Sequence, residues 1–370
     1  MTIAIYSNLP APHQVPLARE IADRIGVTQL WFVCTDSLSD ERRALGWPEY
    51  SYKWIVCEKN EPVIARKILQ ECDVLFSGNY DFNLFSRRME SRRLTIYGSE
   101  RWLKGWKGLF RFLSPRFVVK AIGMARLLRE EYFFYFAYGI NAARDMARIV
   151  GLCKGRVSNF VKTPRLEFEK IPCGRVSDSG HDCESVKRMR IWGYSVEESK
   201  HRRPLRDGRN LSVLWVGRMM RVKKVDTIIK AIASLNNVRL VLIGDGPEKR
   251  RLQKLAGRLS MDVTFLPSMP LDRIREEMRL HDLYVFASGN GEGWGAVVNE
   301  ALEEGMSVIG TYEAGSSATI LPDEALFHAG DVKALREKLA NPPPAVGIGA
   351  WSLRNMANAF IEFIQGHIDA

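Results

Sequence analysis

The sequence predicts an α/β protein with two parallel-sheet domains in tandem. Its 370 residues exceed what a single hydrophobic core usually serves. In both halves, short apolar runs of strand length alternate with stretches of helical periodicity, and turn-forming residues separate them. This alternation is typical of a mostly parallel sheet covered on both faces. We assign residues 1–205 to a first domain, residues 206–345 to a second, and residues 346–370 to a C-terminal helix.

The first half begins with an apolar strand at residues 2–6, a loop of turn formers and a helix at residues 15–25. The loop contains His13 and follows the carboxyl end of a strand, where open α/β sheets bind ligands. His13 is interpreted either as a substrate contact or as an ordinary loop histidine. The other elements predicted in this half are strands at residues 29–34, 52–56, 74–77, 94–97 and 134–137, and helices at residues 62–70 and 141–150.

The pattern weakens between residues 154 and 207, where prolines, glycines and charges are dense. We place the crossing between the domains at the end of this region, at residues 200–210. The elements predicted in the second half are strands at residues 211–216, 238–243, 263–266, 283–287 and 307–310, and helices at residues 225–235, 248–259, 271–278, 296–304 and 351–368.

Residues 283–305 combine a strand, a glycine-rich turn and a helix. This order directs free backbone N–H groups and the positive end of a helix dipole to the carboxyl edge of a sheet, which favours an anion. Glu292 lies in the turn and Glu300 in the helix, and carboxylates accept hydrogen bonds from hydroxyl-rich partners such as ribose and a hexose. The alternative is a plain turn whose glycines only make room and whose glutamates are solvated.

Positive charge is concentrated at residues 87–129. This segment holds twelve Lys and Arg and only two acidic residues, Glu90 and Glu100, in a chain of net charge +11. Because Trp and Phe lie between the cations, we expect contact with an anionic membrane surface; the alternative is a solvated helix face beside core residues. No nucleic-acid partner is expected, since no recognition motif accompanies the segment. Glu100 either meets a ligand hydroxyl or, as we favour, neutralises Arg101 and its neighbours.

The sequence contains no apolar run of bilayer-spanning length and no signal-peptide pattern. Its six cysteines are scattered at spacings that match no zinc pattern. We therefore expect a cytoplasmic protein with free thiols, peripheral on the inner face of the membrane where the basic segment meets lipid.

Three motifs of the second half stand in order: WVGRMMRVKKVDTIIKAI, LVLIGDGPEKRRLQ and SGNGEGWGAVVNEALEEGMSVIG. Together, over residues 211–339, they resemble the retaining, nucleotide-sugar-dependent glycosyltransferases of the GT-B fold, family 4 type. The first domain resembles this family only in outline, through its α/β pattern and its SNLPAPHQVPL loop. The resemblance implies two Rossmann-like domains that face each other across a cleft, with the C-terminal helix returning to the first domain.

The resemblance also implies roles for individual residues. Arg218, Lys223 and Glu292 are the implied catalytic residues: the two cations hold the donor diphosphate, and Glu292 holds the transferred sugar. His13 and Glu100 are expected on the acceptor side. No metal or cofactor is implied, because Arg and Lys take the place of a metal cation. The remaining donor contacts implied are Gly217, Ser268, Gly293, Trp294, Gly295 and Glu300.

The chain departs from the family pattern at several positions. Lys224 stands where the family has a glycine, and Trp294 where it commonly has phenylalanine. The first loop lacks the family's paired glycines, and residues 97–100 occupy the place of a family histidine. These departures concern mainly the acceptor side and leave the donor motifs intact.

We therefore expect a retaining transfer of a sugar from a UDP-sugar, or else a GDP-sugar, to a glycan or lipid-linked acceptor in surface polysaccharide biosynthesis. A nucleotide-sugar epimerase of the same fold is one alternative. A non-catalytic protein that binds membranes or nucleic acid through residues 87–129 is an alternative of another class. A nicotinamide dehydrogenase is disfavoured, because no G-x-G-x-x-G follows the first strand.

Overall fold

The computed structural model describes residues 1–44, 46–153, 166–178, 184–199 and 210–368. In chain order, strands β1 to β15 are Ile3–Ser7, Leu30–Cys34, Ile55–Cys57, Val74–Ser77, Leu94–Ser99, Phe133–Tyr138, Leu166–Phe168, Val176–Asp178, Met189–Trp192, Leu211–Val216, Val238–Ile243, Val263–Leu266, Leu283–Phe286, Ser307–Thr311 and Leu326–Phe327. In chain order, helices α1 to α14 are Val15–Ile25, Asp40–Ala44, Pro62–Glu71, Phe82–Glu90, Pro115–Leu127, Ile140–Cys153, Glu184–Lys187, Val225–Ile232, Lys249–Arg258, Leu271–Leu280, Val297–Glu303, Gly315–Ile320, Val332–Ala340 and Leu353–Ile368.

All the strands except β7 and β8, which form an antiparallel pair of their own, belong to two large sheets, one in each domain. The first sheet has seven strands in the order β3-β2-β1-β4-β5-β6-β9, and the second has six in the order β12-β11-β10-β13-β14-β15. The neighbouring strands of both sheets pair in parallel. Strands β1, β6 and β13 are buried along their whole length, because helices cover both faces. The expected pair of parallel α/β sheets is confirmed.

The C-terminal helix α14 packs on the first domain. The Phe360 ring centroid lies 5.5 Å from that of Phe76 in β4 and 6.0 Å from that of Trp192 in β9. On the outer side, Arg24 Nε of α1 donates to Asn358 Oδ1 at 2.8 Å. The helix therefore returns to the first domain, as the resemblance implied.

The first sheet contains a strand that the sequence did not predict. Strand β9 falls in the region where the apolar pattern weakened, and it joins the edge of the sheet beside β6. The expected domain crossing at residues 200–210 lies almost wholly outside the described residues. Ser199 already contacts the second domain, since its backbone N donates to Glu303 Oε1 at 2.9 Å and its Oγ to Glu304 Oε2 at 2.8 Å.

The helices offer no membrane span: within the described ranges, none is both long and apolar enough to cross a bilayer.

We expect the substitution Phe360→Ala to destabilise the protein by about 3–5 kcal/mol, because it leaves a cavity between α14 and the first sheet. The measurement is the urea unfolding midpoint followed by tryptophan fluorescence. Glu362→Ala, at an exposed position of the same helix, serves as the control and should change the free energy of unfolding by less than about 0.5 kcal/mol. Equal effects of the two substitutions would contradict the packing of α14 described here.

Candidate nucleotide-sugar site

Two connected cavities lie at the carboxyl ends of the two sheets. The second-sheet cavity has a volume of about 580 Å³, and the first-sheet cavity a volume of about 350 Å³. His13 and Trp47 of the first domain line both cavities, so the two form one cleft between the domains. Parallel α/β sheets bind ligands at this edge.

The second-sheet cavity is lined by loops that follow successive parallel strands. Gly217 and Arg218 follow β10, and Ser268 follows β12. Glu300 of α11 contributes a carboxylate, and Pro12, His13, Glu41 and Trp47 close the cavity from the first domain. The structure thus brings Gly217, Arg218, Ser268 and Glu300 together, as the sequence motifs suggested.

Arg218 and Glu300 give this cavity its electrostatic character. Arg218 is exposed, and its guanidinium has no carboxylate partner within the described part of the chain. Glu300 is only 8% exposed, and burial raises its pKa to about 7 against the opposing effect of Arg275. The cavity therefore contains an unpaired cation and a carboxyl group that holds a proton for part of the time near neutral pH.

Lys223 and Glu292 contact each other. Lys223 Nζ lies 2.5 Å from Glu292 Oε2, and both side chains are largely buried. Glu292 and Glu300 are both close to Tyr284: burial is the main cause that raises the pKa of this phenol, and the charges of the two glutamates add to it. Lys223 and Glu292 are thus bonded to each other, and neither of them lines the second-sheet cavity, whereas Glu300 does.

The glycine-rich turn meets the first domain closely. The Trp294 backbone N donates to Glu100 Oε1 at 3.2 Å. A Cβ at position 293 would lie 2.0 Å from Glu100 Oε2, so only glycine permits this approach. Gly295 has φ +85°, and a Cβ there would lie 2.3 Å from the Phe286 ring. The backbone of this turn therefore contacts a carboxylate of the first domain.

The Trp294 side chain belongs to the core. Its ring is fully buried and lies 5.5 Å from the Trp351 ring between centroids. Its Nε1 donates to Asn299 Oδ1 at 2.9 Å, and a Cβ on Gly193 would lie 2.3 Å from the ring. A donor contact at Trp294 can therefore come only from its backbone, whose N–H is bonded to Glu100 in this structure.

Glu100 also lines the first-sheet cavity, and it pairs with Lys104 Nζ at 2.6 Å. Of the expected neutralisation of Arg101 and its neighbours by Glu100, the pair with the neighbour Lys104 forms, whereas Arg101 pairs instead with the buried Asp145 at 3.0 Å. The guanidinium of Arg101 bonds to the carboxylate of Asp145 in α6 and not to Glu100. Glu100 is thus held by Lys104 and the turn, at the wall of a cavity.

His13 lies where the two cavities meet. Its ring centroid is 6.2 Å from that of Trp47 and 5.5 Å from that of Tyr194. Burial and the neighbouring Arg42 lower the pKa of His13 to about 4. The imidazole is therefore neutral at pH 7, and it presents one hydrogen-bond donor and one acceptor.

Lys224 has a left-handed backbone conformation, with φ 49° and ψ 35°, at the start of α8. This region costs a residue with a Cβ about 1–2 kcal/mol, whereas glycine adopts it freely. This left-handed conformation is consistent with the glycine that stands at this position in the family that the sequence resembles.

Sequence reasoning missed several cavity residues: Tyr138, Tyr194, Trp47 and Asn79. Tyr194 follows β9, which the sequence pattern did not reveal. Trp47 stands in a loop without periodicity, so no signal in the sequence pointed to it. Asn79 closely follows the carboxyl end of the strand predicted at residues 74–77, and this position could have identified it.

The basic segment at residues 87–129 is partly core. Arg88 is buried and donates to the backbone oxygens of Leu69, Cys72 and Leu94. Trp102 and Phe117, expected at a membrane surface, are buried too. The exposed part is narrower and mixes apolar with basic side chains: Phe110, Leu113, Val119 and Ile122, with Arg111, Arg116 and Arg126. We name these seven residues the exposed patch.

No group of three or more His, Cys, Asp and Glu residues within the described ranges is arranged to hold a metal ion.

The second domain is similar to known glycosyltransferases. Residues 196–341 match the family described as glycosyl transferases group 1. Sulfoquinovosyl transferase SQD2 of Arabidopsis thaliana is 31% identical over 133 residues, which cover 34% of this chain and 25% of that protein. The lipopolysaccharide core biosynthesis glycosyltransferase LpsE of Rhizobium meliloti (strain 1021) is 26% identical over 167 residues, which cover 41% of this chain and 49% of that protein. The matched parts span at most about half the length of these relatives.

Comparison with solved structures identifies the fold of the whole chain. The structure of Anabaena HepE in complex with UDP has a TM-score of 0.60 and 13% identity, with 99% of this chain and 100% of that chain covered. At this identity the similarity establishes the fold alone. The expectation of a GT-B fold is confirmed.

We expect Glu300 to make stability depend on pH. In the folded protein the pKa of Glu300 is about 7 instead of 4.5. Between these two pH values, the folded state therefore keeps a proton on Glu300 that the unfolded chain has released. The contribution of this proton to the free energy of unfolding is complete below about pH 4.5, and it is lost as the pH rises through about 7. Melting temperatures from about pH 5 to about pH 8 should fall more steeply in the wild type than in Glu300→Gln. Parallel curves for the two proteins would contradict the assignment.

Proposed function

We propose that the chain, whose residues 196–341 match the family described as glycosyl transferases group 1, is a retaining glycosyltransferase. It transfers a sugar from a nucleotide diphosphate, in the first place UDP, to a glycan or lipid-linked acceptor. One observation carries the proposal: Arg218 and Glu300 line a single cavity that the first domain closes with His13 and Trp47. A volume of about 580 Å³ is in the range of small-molecule sites.

The donor diphosphate binds at Arg218. Guanidinium groups bind phosphate oxygens through two parallel hydrogen bonds, and Arg218 has no competing carboxylate within the described residues. Glu300, on the same cavity, accepts hydrogen bonds from the ribose hydroxyls. Ser268 follows β12 and faces the region where the base lies.

Lys223 and Glu292 act once the diphosphate is bound. The phosphate oxygens compete with Glu292 for the ammonium of Lys223, and the released carboxylate accepts hydrogen bonds from hydroxyls of the transferred sugar. Both cations then stabilise the negative charge that grows on the leaving diphosphate, and this stabilisation is larger in the transition state than in the ground state.

The reaction retains the anomeric configuration without a protein nucleophile. The bond from the anomeric carbon to the phosphate oxygen breaks as the bond to the acceptor oxygen forms on the same face. The departing phosphate oxygen takes the proton of the acceptor hydroxyl. The proposal uses no metal, since Arg218 and Lys223 supply the positive charge.

The acceptor binds in the first-sheet cavity. Its walls carry the Glu100 carboxylate, the neutral His13 imidazole and the side chains of Asn79 and Gln14, which together offer hydrogen bonds to hydroxyl groups. The presence of a cavity suited to an acceptor favours a transferase over an epimerase of the same fold, because an epimerase binds no acceptor.

The acceptor is proposed to reach the cleft from a membrane surface. The exposed patch presents apolar side chains with cations around them, and this combination suits the interface of an anionic bilayer. SQD2 and LpsE, which resemble the second domain, are named for the synthesis of a sulfoquinovosyl product and of a lipopolysaccharide core. By analogy with these names, we propose a lipid-linked or surface glycan as the acceptor.

Arg218→Ala should lower kcat/KM for UDP-hexose transfer by at least about a hundredfold, because the growing phosphate charge loses a preorganised donor. The donors to test are UDP and GDP hexoses, chosen beforehand by thermal shift. Arg221→Ala is the matched control: this arginine lies in the same loop but its Nε is 3.5 Å from Glu248 Oε1. Near wild-type kcat/KM in Arg218→Ala would reject the proposed role of Arg218 in binding the diphosphate. Conversion of the donor sugar without an acceptor would favour an epimerase.

The double substitution Phe110→Ser with Leu113→Ser should weaken binding to vesicles that contain phosphatidylglycerol by at least about tenfold, since two apolar side chains no longer enter the interface. Cosedimentation measures the binding. Val63→Ser is the control, because Val63 of α3 is 80% exposed, as Leu113 is. The membrane proposal fails if the double variant sediments like the wild type, or if the wild type sediments equally with pure phosphatidylcholine.

A further inference from the structure

A third cavity lies at the opposite edge of the first sheet. Its volume is about 230 Å³, and its lining includes Arg129 after α5, Phe134 in β6, Arg188 and Arg190 at β9, and His367 near the end of α14. Lys187 completes the lining cations. We name it the amino-edge cavity.

The amino-edge cavity is separate from the cleft. Strands β6 and β9 run parallel, with Tyr135 opposite Met189 and Tyr138 opposite Trp192. The cleft lies beyond their carboxyl ends, where Tyr138 and Tyr194 line the first-sheet cavity. The amino-edge cavity lies at the beginning of the same strands, so a ligand there does not touch the nucleotide-sugar site.

Three of the lining cations, Arg129, Arg188 and Arg190, have no carboxylate partner within ion-pair distance among the residues that the structure describes. Burial lowers the pKa of the Arg190 guanidinium, and the charges of Arg175 and Arg188 lower it further. Positive charges at this spacing repel one another, so the cluster favours any anion that enters.

The guanidinium groups are positioned by neutral partners. Arg188 Nη1 donates to the Glu131 backbone O at 2.6 Å, and Arg190 Nη1 donates to the Lys187 backbone O at 2.7 Å. Their Cζ atoms lie 5.1 Å and 5.4 Å from the centroid of the Phe134 ring. Backbone oxygens and an aromatic face thus fix the two side chains, while the other N–H donors of each guanidinium are left for a ligand.

The acidic residues around the cluster are engaged or directed elsewhere. The Glu169 carboxylate accepts from the Arg175 backbone N at 2.9 Å. Glu130 and Glu131 are exposed, and Glu131 meets Arg188 through its backbone oxygen. Glu362 is exposed on α14. None of these carboxylates forms an ion pair with Arg129, Arg188 or Arg190 within the described ranges, and the charge of Glu169 offsets only part of the effect of burial and of Arg175 and Arg188 on the pKa of Arg190.

His367 forms part of the wall of the amino-edge cavity, and its pKa responds to the charge of the arginines there. Its ring centroid lies 4.6 Å from that of Phe134, and its Nδ1 is 2.6 Å from the Phe363 backbone O. Burial lowers the pKa of His367, and Arg190, Arg188 and Arg175 add to this effect. An anion bound beside these arginines would offset their charge and raise the pKa of His367.

We propose that the amino-edge cavity binds a phosphate-bearing anion through the guanidinium groups of Arg129, Arg188 and Arg190. Phosphate oxygens match the paired N–H groups of arginine, and a cavity of about 230 Å³ has room for a phosphate or diphosphate group but is less than half the size of the second-sheet cavity. This chemistry has two sources, the head-group phosphate of a lipid and a free phosphorylated metabolite. The proposal is independent of the glycosyltransferase proposal.

The soluble arm of the test titrates pyrophosphate into the full-length protein by calorimetry. Arg129→Gln with Arg188→Gln removes two charges and keeps hydrogen-bonding side chains. We expect at least about a tenfold loss of affinity in this variant. Arg250→Gln with Arg258→Gln, two exposed arginines near α9, removes the same charge elsewhere and should bind like the wild type.

Arg218→Ala separates the two proposed sites. Since the proposed function places a diphosphate at Arg218 as well, the titration is repeated in the Arg218→Ala background, where pyrophosphate binding at the amino-edge cavity should persist and should weaken when Arg129→Gln with Arg188→Gln is added. A titration of the His367 ring by NMR gives a second readout. Pyrophosphate should raise its pKa in the wild type and leave it unchanged in the double variant.

The lipid arm measures cosedimentation with vesicles of phosphatidylcholine containing phosphatidic acid, against phosphatidylcholine alone. Loss of vesicle binding in Arg129→Gln with Arg188→Gln, but not in the α9 control, assigns the site to a lipid head group. Loss of pyrophosphate binding alone assigns it to a soluble metabolite. The proposal is overturned if neither ligand distinguishes the double variant from the wild type, or if the α9 control loses as much binding.

Discussion

The geometry of the cleft depends on the contact between the loop after β5 and the glycine-rich turn after β13. Arg101 and Asp145 form a buried ion pair of 3.0 Å, and Asp145 also accepts from the Leu103 backbone N. Arg101 held in this way donates to the Asn290 backbone O at 3.2 Å, while Glu100 accepts from the turn. A buried ion pair adds little net stability, so we attribute to this one the orientation of a loop that joins the domains.

The same turn has two tasks, and they explain its composition. Its backbone must approach a carboxylate of the first domain, which requires the absence of a Cβ at Gly293. Its one large side chain, Trp294, fills the core between Gly193 and Trp351. A motif that resemblance alone would assign to ligand binding therefore also packs against the residue that follows β9 and against Trp351, shortly before α14.

The sequence predicted those features that depend on neighbours along the chain. Strands β4, β11 and β12 occupy the predicted residues, because each is a short apolar run between turn formers. Strand β9 was missed, since its four residues include Arg190 and follow Arg188, which leaves no apolar window. Arg88 could not be distinguished from an exposed arginine, because its burial depends on backbone oxygens of β5 and of the region after α3. Long-range contacts, such as Lys223 with Glu292 across 69 residues, carry no local signal.

The ion pair of Lys223 and Glu292 has a consequence for the proposed reaction. Glu292 is only 14% exposed, and a carboxylate that loses its partner in such surroundings bears a desolvation cost unless new donors replace it. A nucleotide sugar supplies both replacements, phosphate oxygens for Lys223 and sugar hydroxyls for Glu292. A nucleoside diphosphate supplies only the first, so it must either leave Glu292 unsatisfied or leave Lys223 paired. Under the proposed function, the site would therefore favour the donor over the nucleotide product, and the re-forming ion pair would assist the release of that product after transfer.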